Sequence, residues 1–318
     1  MSTSTASTTN DNDNENQDQE DKKKVFVFNF PPVPHVYSIC PFGLKLESFC
    51  RINEIPHETI WTTNVSKYGT LPYCRFGDKE TGEEIPDSNL SLDRLKQEFR
   101  VSEDAVTVSA ADRALTHLIV RMLEEHTAQI GFYYRYGLEV PKFVESLEIE
   151  DRFCRPVYAQ GFLHGLPDAI KDKALKRGIA RHPEETIWKF SFDDLQALSD
   201  LLGDDKTYFL GGESPTLADC AVFGHLAQFL WIPMDFPQKQ YLKEHCPNLV
   251  QFMEHFRARV WPDWEELCNT KHNDKYAHAD ADADTINNNT KGENDFKLKA
   301  DKKGGEEKKD ERTEGLDK

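Results

Sequence analysis

The order in which hydrophobic periodicity changes between Val25 and Phe99 restricts the fold more than any other feature of this sequence. "VFVFNF" (Val25–Phe30) is a β-branched and aromatic run of strand length. After the extended "PPVP" connection, Phe42, Leu46, Phe49 and Cys50 recur at helical spacing, which assigns Glu47, Arg51 and Glu54 to the opposite, polar face. Pro56 ends that helix, and "HETIW" (His57–Trp61) reads as a second strand. Strand, helix and strand in succession form a βαβ unit, its strands parallel and joined by a right-handed crossover. "PYCRF", a turn around Gly82 and "EIP" add two short strands, and Asp87 or Ser88 caps a helix that carries Leu90, Leu92, Leu95 and Phe99.

After Ser102 strand patterns stop. "AADRALTHLIVRMLEEHTAQIGFYYRYG" is one long helical pattern, and "RFCRPVYAQGFLHGLPDAIKDKALKRGIA", "SFDDLQALSDLLG", "PTLADCAVFGHLAQFLW" and "PNLVQFMEHFRARVW" are further helices. The expected fold class is an α/β domain with four strands followed by an all-α domain. Residues 1–24 and 269–318 are polar and charged, too poor in apolar side chains to offset chain entropy, and are expected to be disordered tails. The expected domains are therefore 25–101 and 102–268.

The formal net charge is −17, and most of it lies between the tails. Such a surface disfavours nucleic acid, whose phosphates require Lys and Arg. No run approaches a membrane span, and the N-terminus lacks the basic-then-apolar pattern of a signal peptide. Seven cysteines at irregular spacing do not form a secreted disulfide framework, so a cytoplasmic, reducing location is expected. No zinc-type spacing is present. "HADADAD" lacks the glycine and closing glutamate of a calcium loop, so no metal site is expected.

Four local patterns, in order, carry a resemblance. "CPFG" begins at Cys40, "GTLP" spans Gly69–Pro72, "IPDS" spans Ile85–Ser88 and "SPTLADC" spans Ser214–Cys220. Together they resemble the glutathione-transferase fold, a thioredoxin-like domain followed by a helical one. "SICPFGLKLESFCRINEIPHE", "YFLGGESPTLADCAVFGHLAQ" and "CPNLVQFMEHFRARVWPDW" are similar to the narrower failed-axon-connections group, relatives of metaxins and of cadmium-responsive proteins. The resemblance covers about residues 25–265. It implies that Cys40 stands where the family keeps its catalytic residue, and that the Leu71–Pro72 bond is cis and offers the Leu71 backbone to the cysteinyl part of glutathione. It further implies that Asp87 and Ser88 hold the γ-glutamyl end, while Thr216 and Asp219 form a buried capping box of structural purpose. The first helices of the second domain would line an electrophile site.

Read from residues alone, each position has a plainer alternative. Pro72 can be a trans proline opening a strand, and Asp87-Ser88 a plain helix cap. Cys40 is either a small buried thiol or a nucleophile whose pKa falls at a helix N-terminus. The partner position of a two-thiol motif is Gly43, so a dithiol cycle within the motif is unavailable. Tyr37 and Ser38 are the alternative hydroxyl donors, and His225 is expected to be a core residue. Two functions follow. The first is a glutathione-dependent transferase or thiol reductase, with glutathione or another small thiol as co-substrate. The second is a scaffold acting through protein partners, in neuronal, developmental or metal-stress roles. A homodimer is compatible with either.

Overall fold

The structure, a computed structural model, describes residues 24–101, 109–148 and 166–269. The two tails (Lys24 and Asn269 excepted), the stretch 152–165 of one expected helix and "HADADAD" lie outside the described residues. Strand β1 (Val25–Asn29) leads through the proline loop to helix α1 (Pro41–Ile52); β2 (Glu58–Trp61), β3 (Tyr73–Phe76), β4 (Glu83–Pro86) and α2 (Ser88–Glu98) follow. The sheet order is β2-β1-β3-β4. β1 runs parallel to β2, with Val27 opposite Thr59, and antiparallel to β3, with Val27 opposite Cys74. β4 is antiparallel to β3.

Strand alternation divides the sheet into two faces. Val25, Val27, Cys74 and Phe76 enter the main core. Phe26, Phe28 and Tyr73 form a separate cluster on the other face, where the Phe28 and Tyr73 rings stack at 4.4 Å.

The second part is helical: α3 (Ala110–Met122), α4 (Ala128–Phe132), α5 (Val140–Ser146), α6 (Leu166–Lys176), α7 (Glu184–Leu202), α8 (Leu217–Leu230), α9 (Pro237–His245), α10 (Pro247–Val260) and α11 (Trp264–Cys268). One apolar core contains residues of both the sheet layer and the helical part. At its centre α8 crosses α1 with almost no separation. A Cβ on Gly224 would lie 2.5 Å from the Pro41 carbonyl oxygen and 2.9 Å from the Lys45 nitrogen. Among the described residues no helix is long and apolar enough to cross a membrane.

Three details differ from the sequence expectation. Of the residues placed on the polar face of α1, Glu47 is buried, as is Lys45 on the same helix, because α1 lies between the sheet and α8, while Arg51 is half-buried and Glu54 exposed. Leu90, expected on the buried face of α2, is 54% exposed; Ser91, Leu92 and Leu95 are the residues that face inward. The long helix after Ala110 is interrupted by two π-helical stretches, Leu123–Thr127 and Tyr133–Leu138. A π turn shifts the phase of the side chains, and here polar Glu124, Thr127 and Arg135 are buried along with the apolar residues.

Candidate functional site

Helix α1 starts at Pro41, and Cys40 is its N-cap. Proline suits the first helical turn because its missing N–H would have had no partner there. The Cys40 carbonyl accepts from the Gly43 and Leu44 N–H groups. Its sulfur has two competing environments. Burial pushes the thiol up to about 11, against the downward pull of the Gly43 and Phe42 backbone and of Arg135 and Lys45. The helix terminus acts on the thiol, but desolvation is larger. The neutral S–H donates to the Leu71 carbonyl at 3.6 Å.

The preceding loop is pinned from below. Glu47, buried on α1, accepts from Asn29 Nδ2 (2.7 Å), the Tyr37 hydroxyl (2.8 Å) and the Thr59 hydroxyl (2.8 Å). Asn29 Oδ1 accepts in turn from Ser38 Oγ and the Phe30 N–H, and Ser38 Oγ accepts from the Cys40 N–H. Tyr37 and Ser38 are therefore committed to this buried network, and burial beside Glu47 holds the Tyr37 phenol well above its ordinary pKa. Neither lines the pocket described next. Gly43 is required by the same network. A Cβ there would lie 2.1 Å from Asn29 Oδ1.

Leu71, Pro72, Asp87 and Ser88 do come together. They line a pocket of about 350 Å³ with Phe42, Asn89, Arg121, Glu124, Lys173 and Arg177, and the Leu71–Pro72 bond is cis. Cys40 is not part of the pocket lining. Asp87 caps α2, its Oδ1 accepting from the Asn89 N–H at 2.7 Å, with φ 71° and ψ 142°. A non-glycine residue held in that region costs on the order of 1–3 kcal/mol and marks a position the surroundings impose. Ser88 follows at the first turn, where unbonded N–H groups and the helix dipole favour an anion.

The pocket floor is ionic. Lys45 donates to Glu124 Oε1 and to Asn89 Oδ1, and Asn89 Nδ2 donates to Glu124 Oε2. Lys45 and Glu124 escape sequence reading because their burial comes from contacts between elements far apart in the chain, which leave no local pattern at either residue. A larger cavity of about 470 Å³ lies between α1, α2, α3 and the start of α8, sharing Asn89 and Arg121 with the first.

Deeper, Arg135 is 2% exposed and donates to Gln228 Oε1, the Ile39 carbonyl and the Tyr136 hydroxyl. The Tyr136 ring lies 4.3 Å from it. Gln228 also donates to the Ser38 carbonyl, so α8 and the π-helical stretch both hold the loop end before Cys40. His225 is buried, bonds the Ala221 carbonyl through Nδ1, and is kept neutral by burial, with its pKa down to about 4. At the start of α8, Asp219 Oδ2 accepts from the Thr216 N–H and hydroxyl at 2.7 Å each, and Oδ1 accepts from the Phe209 N–H at 2.9 Å.

With this geometry in place, the comparisons agree among themselves. Residues 41–141 match the glutathione S-transferase N-terminal domain and residues 192–256 the glutathione S-transferase C-terminal domain. Failed axon connections of Drosophila melanogaster is 29% identical over 262 residues, 75% of this chain and 58% of that protein. The chain thus spans under two thirds of that relative's length. Isoprene-epoxide–glutathione S-transferase of Rhodococcus sp. (strain AD45) is 28% identical over 201 residues, 61% of this chain and 79% of that protein. A metaxin-1 homologue of Caenorhabditis briggsae is 42% identical over 84 residues, 26% of each.

Proposed function

Since the chain belongs to the glutathione S-transferase superfamily and is related to Failed axon connections and the metaxins, we propose that its pocket binds glutathione without thiol transfer through Cys40. The observation that carries this reading is the convergence of Leu71, Pro72, Asp87 and Ser88 on one pocket whose lining omits Cys40. In this reading the Ser88 hydroxyl and N–H take the γ-glutamyl carboxylate and Asp87 takes the α-ammonium. The cysteinyl part lies along Leu71. The buried Cys40 thiol, donating to the Leu71 carbonyl, supports the strand end from behind.

The domain pair then acts as a glutathione-occupied scaffold that engages protein partners, a second copy of the chain among them. A cytoplasmic location accompanies it, supported by the six described cysteines, all unpaired. A second reading is favoured by the similarity to the isoprene-epoxide enzyme: bound glutathione itself attacks an electrophile, with Cys40 again not forming a covalent bond.

Calorimetric titration with reduced glutathione tests the proposal. Wild type and Cys40→Ser are expected to bind alike, and Ser88→Ala about tenfold more weakly, the loss of one hydrogen bond to a charged group. A small mixed-disulfide substrate turned over by wild type but not by Cys40→Ser would overturn it.

A further inference from the structure

The turn that leads into the cis proline holds a pair of hydroxyls. Ser66 is buried, and its Oγ accepts from the Tyr68 N–H at 3.3 Å and from the Thr70 N–H at 3.2 Å. A serine oxygen has two lone pairs, so both are taken. Ser66 Oγ also lies 2.7 Å from Thr70 Oγ1, and with no lone pair left it can only donate across that distance. Thr70 Oγ1 therefore accepts from Ser66, and it accepts as well from the Asp87 N–H at 3.2 Å. Backbone bonds close the same turn: the Ser66 N–H donates to the Thr70 carbonyl at 2.9 Å, and the Gly69 N–H to the Ser66 carbonyl at 2.8 Å. Thr70 lines the pocket and directly precedes the Leu71–Pro72 bond. Its one oxygen thus joins the two segments assigned to glutathione, which lie 17 residues apart in the chain.

Asp87 stands at φ 71°, a region that is costly for a residue with a side chain. A bond to its N–H fixes the peptide plane from which that angle is measured, and so the direction in which the Asp87 side chain and the Ser88 N–H leave β4. We infer that Thr70 is a positioning residue of the glutathione pocket: its hydroxyl oxygen, oriented by Ser66, holds the Asp87 backbone in the conformation that presents Asp87 and Ser88 to the γ-glutamyl end. This role rests on the glutathione reading of the same pocket and adds the side chain that sets its geometry. Serine at this position keeps the acceptor. An apolar side chain of the same shape leaves the Asp87 N–H without it.

Three variants of the full-length chain test this role: Thr70→Val, Thr70→Ala and Thr70→Ser, each checked for its fold by circular dichroism. In calorimetric titration with reduced glutathione, Thr70→Val and Thr70→Ala are expected to bind about fivefold more weakly than wild type, the order of one hydrogen bond. Thr70→Ser is expected to stay within about twofold of wild type. Hydrogen exchange at the Asp87 amide, followed by NMR without glutathione, should be about fivefold faster in the two apolar variants and close to wild type in Thr70→Ser. A hydroxyl of purely structural purpose would lower the urea midpoint of the apolar variants while leaving glutathione affinity at its wild-type value. That result overturns the inference and leaves glutathione binding in place. Thr70→Ser as weak as Thr70→Val overturns it too, since shape and not the hydroxyl would then be responsible, and so does an Asp87 amide whose exchange is the same in all four proteins. Failure of wild type to bind glutathione overturns the glutathione reading, and this inference with it.

Discussion

At Cys40, the N–H groups of a helix start and two nearby cations act against the cost of a buried charge, and the cost is larger. With a thiol near 11, the thiolate fraction at pH 7 is on the order of one in ten thousand. Alkylation of Cys40 by iodoacetamide, followed by peptide mass spectrometry, should therefore be slow at pH 7 and rise about tenfold per pH unit up to about pH 10. Rapid labelling at pH 7 would contradict this. His126 shows the opposite case. Its Nδ1 lies 2.7 Å from Asp194 Oδ2, which also accepts from the Thr127 hydroxyl, and that hydrogen bond raises the imidazole pKa. A raised histidine stabilises fully below its unfolded value, about 6.5, and loses its contribution as pH rises through the folded value. The melting-temperature gap between wild type and His126→Asn should be widest below about pH 6 and shrink as the pH rises above the unfolded histidine value. A gap that grows with pH would refute the ion pair.

Helix α8 explains both what the sequence conveyed and what it concealed. Its apolar circumference and its Thr216-x-x-Asp219 start mark it as a buried helix with a cap, and the structure adds the Phe209 N–H as a third donor to Asp219. Asp219→Ala should cost about 3 kcal/mol in urea unfolding, with glutathione affinity unchanged in the folded variant. Gly224 gave no such signal. Its necessity comes from α1 crossing at 2.5 Å from where its Cβ would be, a long-range contact with no local trace. Gly224→Ala is expected to destabilise by about 2–3 kcal/mol, because a backbone carbonyl cannot yield as a flexible side chain would. The strands and α2 were legible because period-2 and cap patterns are local. Lys45, Glu47 and Glu124 were not, since a charged residue at helical spacing reads as solvent-facing until a partner from another element is in view. Cys40 was legible as a position but not as a chemical state, which its burial decides.

Across the whole molecule, α1 is held from several directions. Lys45 pairs with Glu124 of the helical part, Arg51 pairs with Asp263 at 2.7 and 3.0 Å and stacks on Trp261, and Trp261 Nε1 donates to Ser48. Lys45→Met leaves Glu124 buried without its cation and should cost about 3–5 kcal/mol, most of it recovered when Glu124→Leu is added. Urea denaturation of the two variants measures both. Because a single core runs through both parts, each should unfold in one transition. Asn29, lodged against Gly43, also limits what this chain can become by mutation. A single step to a two-thiol motif would drive a new side chain into the amide that holds Ser38 and Glu47. At least Asn29 and its partners would have to change with it, so a second thiol at this position is more than one substitution away.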